Sequence, residues 1–245
     1  MKGRFLALLL PPAAWLGVFL VLPTALLAVS AFSADGLQAL GLATTWLLFW
    51  RSFWIALVST AACLAVSYPV AWFVAGCSPA RRNLLLFLVV LPFWTNLLVR
   101  TYALKFCLDQ VGWTSTSAVI FAIVQNFLPF MILPLYASIE KLPKQLLEAS
   151  QDLGASPAVT FWKVAVPLTM PGIAAGSILV FIPVLGLFAL PEFINERTVL
   201  IGSQINLYYG QGNAGAGSAL TLVLMVLTIA LTGLYSRLRK SEGLV

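Results

Sequence analysis

Few residues of this sequence could carry out covalent chemistry. Its 245 residues include no histidine, which excludes histidine-based acid–base catalysis and every metal site that needs an imidazole ligand. The cysteines Cys63, Cys77 and Cys107 lie far apart and are predicted to be small apolar residues of helices. The sequence has no clustered carboxylates and no Gly-x4-Gly-Lys-Ser/Thr phosphate loop. We therefore expect no enzymatic activity, no metal site and no cofactor bound by this chain.

A second set of residues could guide a cation without reacting with it. Carboxylates near the ends of long uncharged stretches would attract a cation, and aromatic rings beside them could add cation–π contacts. The alternatives are that the aromatic residues anchor the chain at a membrane interface, that the carboxylates are solvated, and that Arg100 pairs with an acid or extends to the interface. The candidates for a substrate path are Trp94, Asn96, Arg100, Tyr102, Asp109 and Glu192.

The composition places most of this chain in lipid. Apolar residues make up 61% of it and charged residues only 9%, against roughly 25% charged residues in a soluble domain. So few charges cannot cover the surface of a soluble protein of this length. A soluble enzyme, a nucleic-acid-binding protein and a disordered chain are therefore all disfavoured.

Six uncharged stretches are long enough to cross a bilayer, which requires about 20 apolar residues for each helix. Repeated ten-residue alternation of a β-barrel is absent from the sequence, so the stretches are predicted to be helices. The expected fold is all-α, a single domain over residues 1–245 with six transmembrane helices. The predicted spans are residues 5–32, 52–79, 83–99 with a continuation to 104 left open, 119–139, 164–190, and 220–235 with a start near 216.

The first stretch also has features of a secretory signal peptide, with Lys2 and Arg4 before it and small residues near its end. Its apolar part is longer than the about 7–15 residues of a signal peptide. We therefore interpret it as a retained transmembrane helix.

The basic residues indicate how the six spans are oriented. With both termini in the cytoplasm, the Lys and Arg residues lie mainly inside, as the positive-inside rule requires. Only Arg51, Lys105 and Arg197 are then outside, and the net charge of +6 needs no nucleic-acid partner. Polar segments over residues 33–50 and 192–215, including a glycine-rich loop at 208–217, are expected outside. The inside set is Lys2, Arg4, Arg81, Arg82, Lys141, Lys144, Lys163, Arg237, Arg239 and Lys240.

Residues 140–163, called here the EAA segment, form the longest predicted cytoplasmic loop and are amphipathic. Leu142, Leu146, Ala149 and Leu153 recur at helical spacing, with charges between them. Pro143 is suited to the first turn of a short helix, and Gly154 to its C-terminal end. Ser156 and Pro157 are predicted to cap and begin a second short helix over residues 158–162.

The spacing within this segment resembles a known family. Glu148-Ala149-Ser150, Gly154 and Val164-Ala165-Val166-Pro167 match the EAA signature of permease subunits of binding-protein-dependent ABC importers, with Ser in place of the second Ala. Leu91-Pro92-Phe93-Trp94-Thr95-Asn96 and the segments at 99–102, 128–140 and 167–172 are similar to spermidine/putrescine importer permeases of the B type. The outer connection at 105–117 is shorter than in that family, which leaves contact with the binding protein on that side undetermined.

The resemblance implies a type I ABC importer permease for polyamines that works by alternating access. Its partners would be a second homologous permease subunit, two copies of an ATPase subunit that uses ATP and Mg²⁺, a periplasmic binding protein and membrane lipid. The EAA segment would be the coupling helix that docks on the ATPase. The coupling residues carried over are Glu148, Ala149, Ser150, Asp152, Leu153, Gly154, Ala155 and Pro167.

Other functions remain open at this stage. The same architecture imports ferric ion, sulfate, thiamine, phosphonates and opines, and the binding protein selects the substrate. A secondary transporter or channel would explain the spans but leave the EAA segment without a purpose. A membrane enzyme is disfavoured by the absence of histidine and of clustered carboxylates.

Overall fold

The computed structural model describes residues 11–12 and 15–242, with the side chains of residues 144 and 234–242 left aside. Within this part of the chain the regular structure is entirely helical. The first predicted span begins at residue 5, so its start, with Lys2 and Arg4, lies outside the described residues. The helices are α1 Gly17–Ala31, α2 Ala34–Gly41, α3 Ala43–Gly76, α4 Pro79–Trp94, α5 Leu97–Gln110, α6 Thr116–Glu140, α7 Lys144–Asp152, α8 Pro157–Leu185, α9 Ala189–Ile194, α10 Ile201–Gly210 and α11 Ala214–Glu242.

The predicted set of six spans is confirmed when two bent helix pairs are each counted as one span. Four helices, α3, α6, α8 and the Ala214–Gly233 part of α11, are long and apolar enough to cross a membrane individually. The pairs α1–α2 and α4–α5 also qualify, and they bend by 74° and 93°. The hydrocarbon core therefore determines the number of spans, but two of them are not straight.

The second span begins nine residues earlier than predicted. Helix α3 starts at Ala43, and the polar segment expected as a loop over 33–50 is helical instead, as α2 and the first turns of α3. The prediction stopped at Arg51 because it required a stretch without charge. In the structure the Arg51 guanidinium donates a hydrogen bond to the Arg197 carbonyl oxygen at 3.5 Å, so this cation lies within a helix and has an acceptor.

The third span was predicted to be continuous through residue 99, and this is wrong. Helix α4 ends in a 3₁₀ turn at Leu91–Trp94, beside Pro92, and Asn96 adopts an extended conformation. The Asn96 side-chain oxygen accepts a hydrogen bond from the Leu98 backbone N–H at 2.8 Å, which caps the new helix α5. Pro92 and this cap together break the span, since a proline ring and an Asx cap both favour helix ends.

The second short helix of the EAA segment is not separate from the fifth span. A turn at Pro157–Thr160 continues through a π-helix at Phe161–Ala165 into the long helix that ends at Leu185, five residues before the predicted end. Because the chain stays helical through 29 residues, α8 extends as one rod from the EAA segment through the bundle. The glycine-rich stretch expected as a loop at 208–217 is also mostly helical, with a short turn between α10 and α11.

Helices α3, α6 and α8 pack against one another and form the main core, which also receives α9 and one side of α5. Gly172 and Gly176 on α8 face α6 one turn apart. A Cβ at Gly172 would lie 2.5 Å from Ser138 Cβ and 2.7 Å from the Pro134 carbonyl oxygen. Small residues four apart allow such close approach between helices in lipid, where hydrophobic burial does not drive association.

A second cluster joins the first and last helices. Helix α11 packs against α1, α2 and α10, and its buried Ala216 and Leu220 meet Phe49 of α3 and Ile201 of α10. The Ser52 hydroxyl of α3 accepts a hydrogen bond from the Ile201 N–H at 2.8 Å, and this satisfies a free donor at the start of α10 inside the bundle.

Gly172→Ala should destabilise the protein by about 1–3 kcal/mol, because the new methyl group meets backbone and Cβ atoms that cannot move aside. Gly176→Ala should destabilise it less, since the nearest atom is the flexible Met131 sulfur at 2.6 Å. Thermal unfolding of the purified complex in detergent measures both effects. Gly76→Ala is the matched control, because a Cβ there meets nothing within 4 Å. Equal midpoints for the Gly172 and Gly76 variants would contradict this account of the α6–α8 contact.

Candidate functional site

The EAA segment presents an amphipathic helix, α7, on the surface of the bundle. Glu148, Ala149 and Asp152 are exposed, and the Leu153 side chain retains 88% of its accessible surface. An apolar side chain this exposed outside the spans, beside two carboxylates, is typical of a surface that another protein covers. Leu147, in contrast, is half-buried and faces the bundle.

Gly154 ends α7 in a left-handed conformation, with φ of +85°. Its N–H donates to the Gln151 carbonyl oxygen at 2.8 Å, and the Ala155 N–H donates to the Ser150 carbonyl oxygen at 3.2 Å. This pair of hydrogen bonds is a Schellman motif, which satisfies carbonyl groups that the helix end leaves free. A residue with a side chain would be strained at this φ, which confirms the predicted C-terminal position of the glycine.

Ser150, the residue that departs from the family signature, joins the two parts of the EAA segment. Its hydroxyl lies 2.7 Å from the Thr160 hydroxyl in the first turn of α8. Ser156 caps that turn by accepting a hydrogen bond from the Val159 N–H at 3.4 Å, and Pro157 occupies the first helical position, as predicted. Ala155 is half-buried between the two helices. A direct side-chain contact therefore joins α7 to the first turn of α8.

Pro167 lies where the EAA segment enters the bundle. The π-helix just before it ends with the Val166 N–H donating to the Phe161 carbonyl oxygen, and Pro167 itself has no N–H to donate. A π-turn next to a proline weakens the regular hydrogen-bond ladder of a helix at one place. The next turn is fixed again, because the Thr169 hydroxyl lies 2.9 Å from the hydroxyl of the buried Tyr68 on α3.

Sequence reasoning missed an ion pair that borders the EAA segment. Arg82 Nη1 of α4 lies 2.5 Å from Glu140 Oε1 at the end of α6. Both residues line a cavity of about 320 Å³ between the ends of α3 and α6 and helix α7, together with Trp72, Glu148 and Gln151. The signal that could have found the pair is that both residues follow or precede spans on the same predicted side of the membrane.

The structure places Trp94 and Asn96 at the bend of the third span and Tyr102 on α5 beyond it. Trp94 is largely exposed and meets the Phe87 ring edge to face, and Asn96 caps α5. Tyr102 lies half-exposed on α5, with its ring centroid 4.7 Å from that of Phe193 on α9. Glu192, the neighbour of Phe193 in sequence, is half-buried on α9, and α9 packs against α5.

Two other candidates are placed differently. Asp109 forms an ion pair with Lys105 one turn earlier on α5, so its charge is already balanced within the chain. Arg100 is half-buried, and its Nε atom has no hydrogen-bond partner in the described part of the chain. None of the seven acidic side chains that the structure describes forms an ion pair with Arg100. The structure therefore does not support the alternative that Arg100 pairs with an acid of this chain.

Comparison with known proteins gives one consistent family. The family model of the binding-protein-dependent transport system inner membrane component matches residues 4–242. The spermidine/putrescine transport system permease protein PotB of Escherichia coli strain K12 is 42% identical over 194 residues, which cover 70% of this chain and 70% of that protein. The protein of the same name from Haemophilus influenzae is 38% identical over 259 residues, with 92% and 91% covered.

The fold agrees with this family at low sequence identity. A chain in the crystal structure of a bacterial alginate ABC transporter, in complex with an alginate pentasaccharide-bound periplasmic protein, superposes with a TM-score of 0.70. It is 15% identical, and the match covers 98% of this chain and 95% of that chain. At this identity the match supports the fold alone. The chain thus belongs to the family of binding-protein-dependent transport system inner membrane components, as a permease subunit of an ABC importer that is itself not an enzyme.

Proposed function

We propose that this permease imports the polyamines spermidine and putrescine. The observation that carries the proposal is the 42% identity to a spermidine/putrescine permease, which extends over the EAA segment and the bent third span. A cation as substrate fits the candidate path residues, because Trp94 and Tyr102 offer aromatic faces and the half-buried Glu192 offers negative charge on α9, the helix that packs against α5. Alternating access then carries the substrate past these residues.

The chain acts as one transmembrane domain over residues 1–245 within a larger assembly. Its partners are a second homologous permease subunit, two copies of an ATPase subunit and a periplasmic binding protein. ATP and Mg²⁺ are used by the ATPase subunit, since this chain has no phosphate loop of its own. Support for a binding protein comes from the family description and from the periplasmic protein present in the alginate transporter complex.

Helix α7 couples the ATPase to the bundle. Leu153 and Ala149 form an apolar contact with the ATPase, and Glu148 and Asp152 add charged contacts around it, because all four are exposed on one short helix. Closure of the ATPase dimer displaces α7, and the Ser150–Thr160 contact passes this displacement to α8. The π-turn before Pro167 is where α8 bends to absorb it.

The protein lies in the bacterial inner membrane with both termini in the cytoplasm. The excess of Lys and Arg on one predicted side supports this orientation, and it places the EAA segment where a cytoplasmic ATPase can reach it. The turn around Val111 and Gly112 then faces the periplasm.

Gly154→Pro should uncouple ATP hydrolysis from transport while the subunit still inserts. Proline fixes φ near −65° and removes the N–H that bonds Gln151, so the Schellman turn cannot form. Gly154→Asn is the matched control, because asparagine tolerates the left-handed conformation, and it should retain most of the transport.

Glu148→Arg should also uncouple ATP hydrolysis from transport, because it reverses a charge at the contact with the ATPase. Substrate uptake and ATPase rate in proteoliposomes measure both, and normal coupling in Gly154→Pro and Glu148→Arg would refute the role of α7.

The substrate is tested with the reconstituted complex and its binding protein. Spermidine or putrescine should stimulate the ATPase rate several-fold, whereas sulfate, thiamine and ferric ion should leave it at the basal level. Stimulation by one of these other solutes, without any response to polyamines, would replace the proposed substrate while leaving the permease assignment in place.

The orientation is tested by labelling single cysteines in spheroplasts. In a variant with Cys63, Cys77 and Cys107 replaced by Ala, a cysteine at the exposed position Val111 should react with a membrane-impermeant maleimide in intact spheroplasts. A cysteine at the exposed position Lys141 should react only after permeabilisation, because the EAA segment faces the cytoplasm. The opposite pattern would invert the orientation.

A further inference from the structure

Helix α5 carries a wide apolar face that the rest of the described chain leaves uncovered. Val99 and Phe106 expose 64% and 66% of their surface, and Tyr102 lies between them at helical spacing, so the three side chains form one stripe. The set of Val99, Tyr102 and Phe106 is called here the α5 face. Lipid alone could cover such a face, so exposure does not identify what contacts it.

Arg100 lies at the edge of the α5 face, and lipid tails offer its guanidinium neither a hydrogen-bond acceptor nor a counter-charge. The sequence has eight Asp and Glu residues, and all except Glu242 have described side chains. None of these seven carboxylates lies within 4.0 Å of the Arg100 guanidinium, and its buried Nε donates to no acceptor in the described chain. An ionised group next to an apolar surface is costly without a counter-charge.

Three other cations near the spans have a partner within the described chain. Lys105, five residues further along α5, is paired with Asp109, and Arg82 is paired with Glu140. Arg51 donates to a backbone carbonyl. A guanidinium is also a poor lining for a path that conducts polycations, since like charges repel most where the dielectric constant is low. Arg100 is therefore better explained as a contact with an anion from outside this chain than as part of the path.

We infer that the α5 face binds the second permease subunit and that Arg100 forms an ion pair there with a carboxylate of that subunit. The inference rests on the proposed function, which requires a second subunit, and adds the surface and the chemistry by which it is held. The half-buried Arg100 then gains a planar, bidentate partner, the geometry that a carboxylate offers to arginine. The apolar stripe beside it supplies the buried area and excludes water from the ion pair. Tyr102, a candidate path residue, thereby belongs to the subunit contact as well.

Co-purification tests the ion pair in the assembled transporter. With a tag on this chain, Arg100→Glu should reduce the recovered second permease subunit by about tenfold, as expected when a buried charge pair becomes a like-charge contact. Arg100→Gln should reduce it less. Arg51→Gln is the matched control and should leave the recovery unchanged, because the Arg51 acceptor lies within its own chain. In the Arg100→Glu background, each Asp and Glu in the spans of the second subunit is then replaced in turn by Lys, and one replacement should restore recovery.

Photo-crosslinking tests the face without disturbing the charge. A benzoylphenylalanine at Val99 or at Phe106 should cross-link to the second permease subunit, and one at Leu153 should cross-link to the ATPase subunit. The inference would be overturned if Val99 and Phe106 cross-linked to lipid alone and Arg100→Glu gave normal recovery of the second subunit. A normal cross-link from Leu153 to the ATPase in the same experiment would leave the proposed function intact. Failure of the Leu153 cross-link to the ATPase would count against the proposed function itself and the inference with it.

Discussion

The close contact between α6 and α8 at Gly172 and Gly176 is the constraint on which the other features depend. In lipid, two apolar helices gain little from hydrophobic burial against each other, so they are held by van der Waals contact and short-range polar contacts. The Gly172 backbone comes near enough to the Pro134 carbonyl oxygen that one added carbon would overlap it. This contact fixes the position of α8, and α3 then fills the remaining side of the core.

The Gly172 and Gly176 contact holds α8 at mid-length, and the first turns of α8 lie outside this contact. They carry Thr160, which contacts Ser150 of α7, and they pass through a π-turn before Pro167. The Tyr68–Thr169 hydrogen bond, one turn further on, marks where α8 is again held by the core. A short exposed helix, a hydrogen-bonded joint and a π-turn thus follow one another between residues 144 and 167.

The bend of the third span determines where Tyr102 and Arg100 of α5 lie. If α4 had continued straight, Trp94, Arg100 and Tyr102 would point around one long helix. The break at Pro92 and the Asn96 cap instead turn α5 by 93°, so that it packs on α9 and presents one face outward. Tyr102 of α5 then meets Phe193 of α9, and Arg100 is left half-buried with no partner for its Nε in the described chain.

The sequence alone determined the class, the number of spans and the short turns of the EAA segment, because these depend on local physics. Twenty apolar residues must cross lipid as a helix, and a glycine or serine at a helix end is read from its neighbours. Only the tertiary structure decided that Arg51 lies within a helix, that the third span bends and that α8 runs unbroken from the EAA segment. Arg51 lies within a helix because it bonds the Arg197 carbonyl, a partner distant in sequence. The third span bends because Pro92 and the Asn96 cap outweigh an apolar run that would continue the helix. Core packing keeps α8 helical through Pro167 and Pro171. The missing counter-charge of Arg100 is likewise visible only when every carboxylate near it has been placed in space.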